Sequence, residues 1–463
     1  MAEFRLVRDV PVEENYDLVV IGAGPAGCAA AISAARLGAN VLLVEAMSCL
    51  GGMATSGLVT AFDPMADGER MLVGGFMQEL VETMWRRGYI PAGVTPDYWR
   101  KLYHRWTPFH PEGLKLLLDE LVLDAGVHVR LLTRAIDVDI DAATKMVNGV
   151  LLHNIEGYRY VPAKTFIDAT GDAVLADLCG APCREAGRDT DTIMPPTLCS
   201  LFAGIDWNRA LEGRPDRLPE EQTRLAEAIE DGLLSQPDHH LPGMWKVGGT
   251  LGYLNAGHIF GTNALRCADL TEAMMHGRRL VSEYTRFYQE HIPGCEQIEL
   301  ATTAALLGVR ESRRIVGEYE LTIDDYMARR QFPDQIGVYN KFVDIHVTDA
   351  TSEEYERFRH QHDRHRLGEG ECHGIPYSIL VPKGWSNLWA AGRCNSSDVE
   401  VHGAIRVQPA AAMMGQAVGT AAVQSLHTGQ PACDLDTRAL IDTLRSQGAY
   451  LPQPSLSRSM TRR

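Results

Sequence analysis

The sequence predicts an α/β chain in which a parallel-sheet unit is interrupted by a second, α+β stretch, and three observations predict it. Residues 17–45 hold an apolar strand, a glycine turn, a small-residue helix and a second strand in close succession. From Leu201 to about Gly370 the texture changes to more charge, more aromatics and several helices. Apolar, Ala- and Gly-rich texture then returns in Asn387–Gly392 and in a long helix candidate over Gln408–Leu426. The first unit is therefore expected in two parts, 1–200 and 371–430. The interrupting unit is expected over 201–370, and a C-terminal helix and tail over 431–463.

Each element follows from its residues. Asp17–Ile21 is a short buried-type strand, Gly22–Gly27 the turn, Cys28–Leu37 a strong helix former closed by Gly38, and Val41–Val44 the second strand. Gly74–Arg87 and Pro111–Ala125 read as amphipathic helices. Val127–Ile140, Val147–Asn154 and Tyr158–Val161 alternate and are broken by turn residues, which predicts an antiparallel meander. Thr165–Asp168 reads as a buried strand running into Ala169-Thr-Gly-Asp172.

Bulk properties exclude several classes. The 463 residues carry 44 Lys+Arg against 60 Asp+Glu, a formal charge of −16 that repels nucleic acid and anionic membrane. The apolar run Leu18–Ile21 is far too short to span a bilayer, and the N-terminus lacks the pattern of a secretory signal. Ten scattered cysteines without a CxxC pair predict neither a disulfide framework nor a zinc site, so a reducing cytoplasmic compartment and no metal are expected. Oligomeric state stays open.

The glycine turn carries chemistry. In Gly22-x-Gly24-x-x-Gly27 the first glycine permits a tight turn, the second a close approach to phosphates, and the third close packing of helix on strand. The helix N-terminus then faces a pyrophosphate, with Pro25 and Ala26 in its first turn. Glu45, at the end of the next strand, sits where ribose hydroxyls need an acceptor, with Ala46 beside it. Three features favour FAD over NAD: the second bare stretch Gly51-Gly52-Met53; the small turn Ala169-Thr170-Gly171 with Asp172; and Ala390-Ala-Gly392-Arg393. The last precedes a helix whose N-terminal residues include Ala410 and Ala411, where dipole charge stabilises a reduced flavin.

With these residues, and with Gly51-Gly-Met-Ala-Thr-Ser-Gly57, Phe166–Ala173, Gly308-Val-Arg-Glu-Ser-Arg-Arg-Ile315 and Ile375-Pro-Tyr377, the chain resembles the FAD-dependent oxidoreductases. Distant relatives of that family include the fumarate reductase and succinate dehydrogenase flavoproteins. The resemblance implies a Rossmann-like FAD-binding domain of the glutathione-reductase type with an inserted α+β substrate domain. It implies that Gly22, Gly24, Gly27, Glu45, Gly51, Gly52, Asp172, Gly392 and Arg393 line the cofactor, and that residues near Ala135 meet the adenine. No second GxGxxG follows, so the electron acceptor stays unidentified among quinone, carrier protein, dioxygen or the substrate pair.

Chemistry on a small-molecule substrate needs a proton-moving group beside the flavin. His402 reads as that base, or as a surface or capping histidine, with Arg406 binding a carboxylate or stabilising flavin charge. Helical spacing places Arg310 and Arg314 on one face, as an anion site or a salt-bridged helix, with Glu311 and Arg313 elsewhere. Gly252–His258 reads as an ordinary loop or a pocket wall, His239-His240 as a solvated loop, and Cys372-His373 as no metal pair. Cys49 reads as a buried thiol or a covalent flavin anchor, and Ser457–Arg463 as an exposed tail. The expected activity is hydride transfer between substrate and FAD. A redox-neutral flavoenzyme (isomerase, hydratase or lyase), a flavin monooxygenase and a non-catalytic flavin scaffold are the alternatives.

Overall fold

The computed structural model describes residues 5–190, 192–211, 218–351, 353–357 and 365–452. The basic tail Ser457–Arg463 lies outside them.

The opening strand β1 (Tyr16–Ile21) pairs in parallel with β2 (Val41–Val44), and β2 with β3 (His128–Arg130). β4 (Arg134–Asp141), β5 (Met146–Asn154) and β6 (Gly157–Asp168) form the antiparallel meander. The second half of β6 runs parallel to β1, giving the order β3–β2–β1–β6–β5–β4. The late strand Leu388–Ala390 joins in parallel along Phe166–Asp168 of β6.

Two expectations are corrected here. Val127–Ile140 is not one meander strand: residues 128–130 join the parallel edge and a new strand starts at Arg134. Tyr158–Val161 and Thr165–Asp168 are a single continuous strand, because its first half bonds β5 and its second half bonds β1 and the late strand. The junction is stitched by Asn387, whose Oδ1 accepts from Val147 N at 2.9 Å while its Nδ2 donates to Val147 O and Lys164 O at 2.8 and 2.9 Å.

The first helix, Pro25–Arg36, opens with proline at a position where no amide donor is needed, and its small side chains bury it from Ala26 to Ala34. Against it lies the Gln408–Thr428 helix, buried nearly all round as its Ala/Gly composition dictates. The amphipathic helices run Phe76–Arg86 and Pro111–Asp124, and the C-terminal helix runs Thr437–Ser446.

Four strands between Ser200 and Thr303 form a second, antiparallel sheet in the order Trp245–Lys246, Gly252–Leu254, Ser200–Ala203, Glu299–Thr303. The Cys267–His291 helix contributes Tyr284, Phe287 and Tyr288 to an apolar cluster with Phe202 and Leu254. No helix among the described residues is long and apolar enough to cross a membrane.

Candidate functional site

Two helix N-termini converge on one cavity of about 1250 Å³. Neither the first helix nor the Gln408–Thr428 helix has a side-chain cap, and Gly24, Pro25 and Ala26 of one and Val407, Gln408 and Ala411 of the other line the space. Their unsatisfied amides and positive dipole ends favour anionic groups there.

The backbone around this end fits a flavin dinucleotide. A Cβ on Gly22 (φ +93°) would fall 2.6 Å from Ala169 O, so the turn closes against the Ala169–Gly171 loop only without a side chain. A Cβ on Gly24 would meet nothing within 4 Å, which leaves the backbone open to a diphosphate. Glu45 is buried and held, its Oε2 accepting from Ala23 N at 2.7 Å and its Oε1 from Met47 N at 2.8 Å. Asp172 is fixed by Ser312 Oγ at 2.6 Å and Arg393 Nη2 at 2.7 Å.

Of the residues expected to line the cofactor, the cavity wall holds Gly22, Gly24, Pro25, Ala26, Glu45, Ala46, Gly52, Met53 and Ala135. It also holds Ala169, Thr170, Gly171, Asp172, Gly392, Arg393 and Ala411. Gly27, Gly51 and Ala410 stand behind it. A Cβ on Gly27 would meet Gly22 O at 1.8 Å, so that glycine serves helix-on-strand contact, and one on Gly51 would strike the Thr55 side chain. Met47, Thr133 and Arg134 also line the wall; no pattern in the sequence singles them out.

The catalytic expectations are rearranged. Arg310 and Arg406 both line the cavity. His402 does not: it is fully buried, and burial together with Arg314 and Arg406 holds its pKa well below the ordinary imidazole value. The helix expected over Gly308–Arg314 is overturned. Gly308 bonds to Thr197 in an isolated bridge and Arg313–Ile315 pairs antiparallel with Cys183–Glu185, so the backbone is extended. Arg310 and Arg314 consequently part company, and Arg314 Nε donates to Ser397 O at 3.0 Å. Cys49 lies off the cavity, 3.2 Å from Ser56 Oγ. All ten cysteines are free thiols.

The far end of the cavity is polar. Tyr253, Asn255, His240, Asp344, His346 and Tyr355 line it with Arg310 and Arg406. His240, expected in a solvated loop, instead stacks on His258 with ring centroids 4.6 Å apart. His258 Nδ1 lies 3.3 Å from Asp238 Oδ1, and its Nε2 lies 2.9 Å from His346 Nδ1. His346 Nε2 lies 3.5 Å from Asp344 Oδ1, and Asp344 Oδ2 accepts from Arg406 Nη2 at 3.2 Å. Arg310 donates to Thr197 Oγ1 at 3.0 Å and to Pro195 O.

Electrostatics follow from burial and these neighbours. Burial lowers His240 to about 3, helped by His258, and lowers His346, helped by Arg310. His258 is lowered too, although Asp238 offsets part of the burial effect. Burial opposes ionisation of Asp344, but Lys341 and His346 outweigh it and hold its carboxyl well below the usual range. Arg310 falls to about 10 through burial and the charge of Arg406.

The family described as FAD dependent oxidoreductase has a model that matches residues 17–444. Over 92 residues the chain is 45% identical to the tRNA uridine 5-carboxymethylaminomethyl modification enzyme MnmG of Porphyromonas gingivalis, covering 18% of this chain and 14% of that protein. Over 33 residues it is 67% identical to the thioredoxin reductase of Ureaplasma parvum, covering 7% and 11%. The chain thus spans only a small fraction of either relative. Among solved structures, a geranylgeranyl bacteriochlorophyll reductase-like protein of Thermoplasma acidophilum superposes with a TM-score of 0.47 at 13% identity, over 94% of this chain and 84% of that one.

Proposed function

The chain belongs to the FAD dependent oxidoreductase family, with FAD as its cofactor, and from that premise we propose that it transfers a hydride between FAD and a small organic substrate bearing an anionic group. One observation carries the reading. A single cavity runs from the two helix N-termini to the Arg310, Arg406 and histidine cluster, and at about 1250 Å³ it exceeds the roughly 300–1,000 Å³ of a one-ligand pocket. Room for cofactor and substrate in one space is what direct hydride transfer requires.

Bound FAD supplies the two-electron acceptor. The chain's own residues do the rest. Arg310 makes its bonds to neutral oxygens, so its charge is left for a carboxylate or similar anion. Arg406 is held by Asp344 and sits where the Gln408–Thr428 helix begins. Tyr253 and Asn255 add a hydroxyl and an amide to the same wall. In this reading the stretch 201–370 is the substrate domain.

The test is anaerobic. Holoenzyme is mixed with a library of small hydroxy, amino and unsaturated acids, and the blue absorbance of the flavin is followed. Bleaching by a carboxylate member, weakened severalfold in Arg310→Met, supports the reading. Turnover of a compound with no flavin bleaching and no external acceptor would instead mark a redox-neutral enzyme.

A further inference from the structure

Three histidine rings from separate stretches of the chain meet at the far end of the cavity. The ring centroids of His240, His258 and His346 lie 4.6, 5.0 and 5.1 Å apart in pairs, and one nitrogen of each lies within 4.8 Å of the other two. Among the described residues no other group of three or more His, Cys, Asp and Glu side chains converges in this way. Imidazoles held on one ion at about 2.0–2.1 Å, with angles of about 90–110° at the ion, have centroids about 4.5–5.3 Å apart. The cluster already has the spacing of a three-imidazole coordination sphere.

Carboxylates stand behind two of the rings. His258 turns Nδ1 toward Asp238 Oδ1 at 3.3 Å, and His346 turns Nε2 toward Asp344 Oδ1 at 3.5 Å. Their inner nitrogens, His258 Nε2 and His346 Nδ1, face each other across 2.9 Å. A carboxylate at the outer nitrogen is what orients a ligating histidine toward its ion. Asp238 is itself fixed: its Oδ2 accepts from His258 N at 2.8 Å, and its Oδ1 from His240 N at 3.0 Å and from Tyr355 OH. One carboxylate thus places two of the three rings. A hydrogen bond between His258 and His346 accounts for the 2.9 Å contact but leaves the convergence of the third ring unexplained.

We propose that His240, His258 and His346 bind one divalent first-row transition ion at this end of the cavity, with Asp238 and Asp344 holding the outer nitrogens of His258 and His346. The ion replaces the proton on the 2.9 Å link. That distance is close to the roughly 3.0 Å between two imidazole nitrogens set at a right angle on an ion, which fits a square-pyramidal or octahedral ion better than a tetrahedral one. His240 and His346 line the cavity and His258 lies behind them, so the remaining coordination positions open into the cavity. Asp238 and Asp344 balance Arg310 and Arg406 beside them, and Lys341 is taken up by Asp63. The charge of the ion is therefore left for an anionic or hydroxyl oxygen of the substrate. Burial, which lowers the pKa of all three rings, keeps them in the neutral form that coordination needs. The site goes beyond the hydride-transfer reading and would serve a redox-neutral flavoenzyme equally.

Holoenzyme freed of metal by a chelator and titrated with Zn²⁺ and with Mn²⁺ tests the idea, bound metal being counted by elemental analysis after gel filtration. One equivalent is expected, and Mg²⁺ and Ca²⁺ should not displace it, because three nitrogen donors select a transition ion. In 15N-histidine protein, Zn²⁺ should shift the ring nitrogens of three histidines and no others. His240→Gln, His258→Gln and His346→Gln should each abolish stoichiometric binding, and Asp238→Asn should weaken it about 10- to 100-fold. His427→Gln, at the exposed end of the Gln408–Thr428 helix, should leave it unchanged.

Stripped holoenzyme that takes up neither ion would overturn the proposal and leave a hydrogen-bonded cluster. So would binding that survives the three glutamine variants, or binding that Mg²⁺ displaces, since carboxylates rather than rings would then hold the ion. Zn²⁺ that shifts other histidines in the parent protein would overturn it without recourse to any variant. Ion binding is read without substrate, so a failed bleaching screen removes the hydride-transfer reading alone.

Discussion

Gly415 lies against the backbone of Ala26: a Cβ on Gly415 would fall 2.0 Å from Ala26 O, and one on Gly419 would fall 2.2 Å from Ala30 O. Two glycines a helical turn apart therefore set how closely the Gln408–Thr428 helix approaches the first helix, and with it the spacing of the two N-termini at the cavity. Gly415→Ala must push backbone aside and is expected to cost about 1–3 kcal/mol. Lower thermal stability together with reduced FAD content would be seen by following flavin fluorescence during a melt. An unchanged melt would show that the helix pair adjusts freely.

Glu45 holds two backbone amides, Ala23 N and Met47 N, from a buried position. Glu45→Ala leaves both donors without that acceptor, at about 1–3 kcal/mol. Apparent FAD affinity, read by fluorescence quenching on titration of apoprotein, should fall roughly 10- to 100-fold, by the relation of about 1.4 kcal/mol per decade.

Lys341 is fully buried and donates to Asp63 Oδ2 at 2.6 Å. Burial raises the Asp63 carboxyl while Lys341 pulls it back. Lys341→Met strands that carboxylate and is expected to destabilise by about 3–5 kcal/mol in a denaturant titration. Adding Asp63→Asn should recover part of the loss, because no buried charge then lacks its partner.

His373 gives a pH signature. Burial lowers it from 6.5 to about 4 in the folded chain, partly offset by its contact with Gly374 O. Below pH 6.5 the unfolded chain therefore binds the proton that the folded chain refuses, so stability rises with pH through this window. The contribution is complete above pH 6.5 and is lost as pH falls toward 4, by about 3 kcal/mol. Stability curves measured at pH 7 and pH 5 should lie closer together in His373→Gln than in the parent chain.

Legibility in the sequence followed locality. The turn at Gly22–Gly27, Glu45 and the Ala169–Asp172 loop are each defined by neighbours within a few residues, and the cavity wall contains them. The meander was legible for the same reason, since alternation is a local pattern. Asp238, His258, His346 and Asp344 come from three separate stretches, and tertiary structure alone brings His258 to His346, 88 positions apart. The one local trace was Asp344-Ile-His346, whose alternation puts both side chains on one side of an extended segment. Gly308–Arg314 misled because i,i+4 spacing says nothing about where backbone amides find partners; here Thr197 and the 183–185 strand take them. His402 misled because nearness to the Gly392 turn in sequence does not decide which way a helix faces.

Asn387 reaches Val147 across 240 positions of chain. Until that residue has been synthesised, the far edge of β6 at Phe166–Asp168 has no late strand beside it. A ribosome-bound chain therefore presents an open sheet edge throughout synthesis of the stretch from Asp168 to Leu388. Closure at so great a sequence separation is entropically slow, and the same edge is a template for unwanted intermolecular pairing. Truncations ending before Leu388 should consequently accumulate as aggregates, whereas those that remove only residues after the C-terminal helix should not.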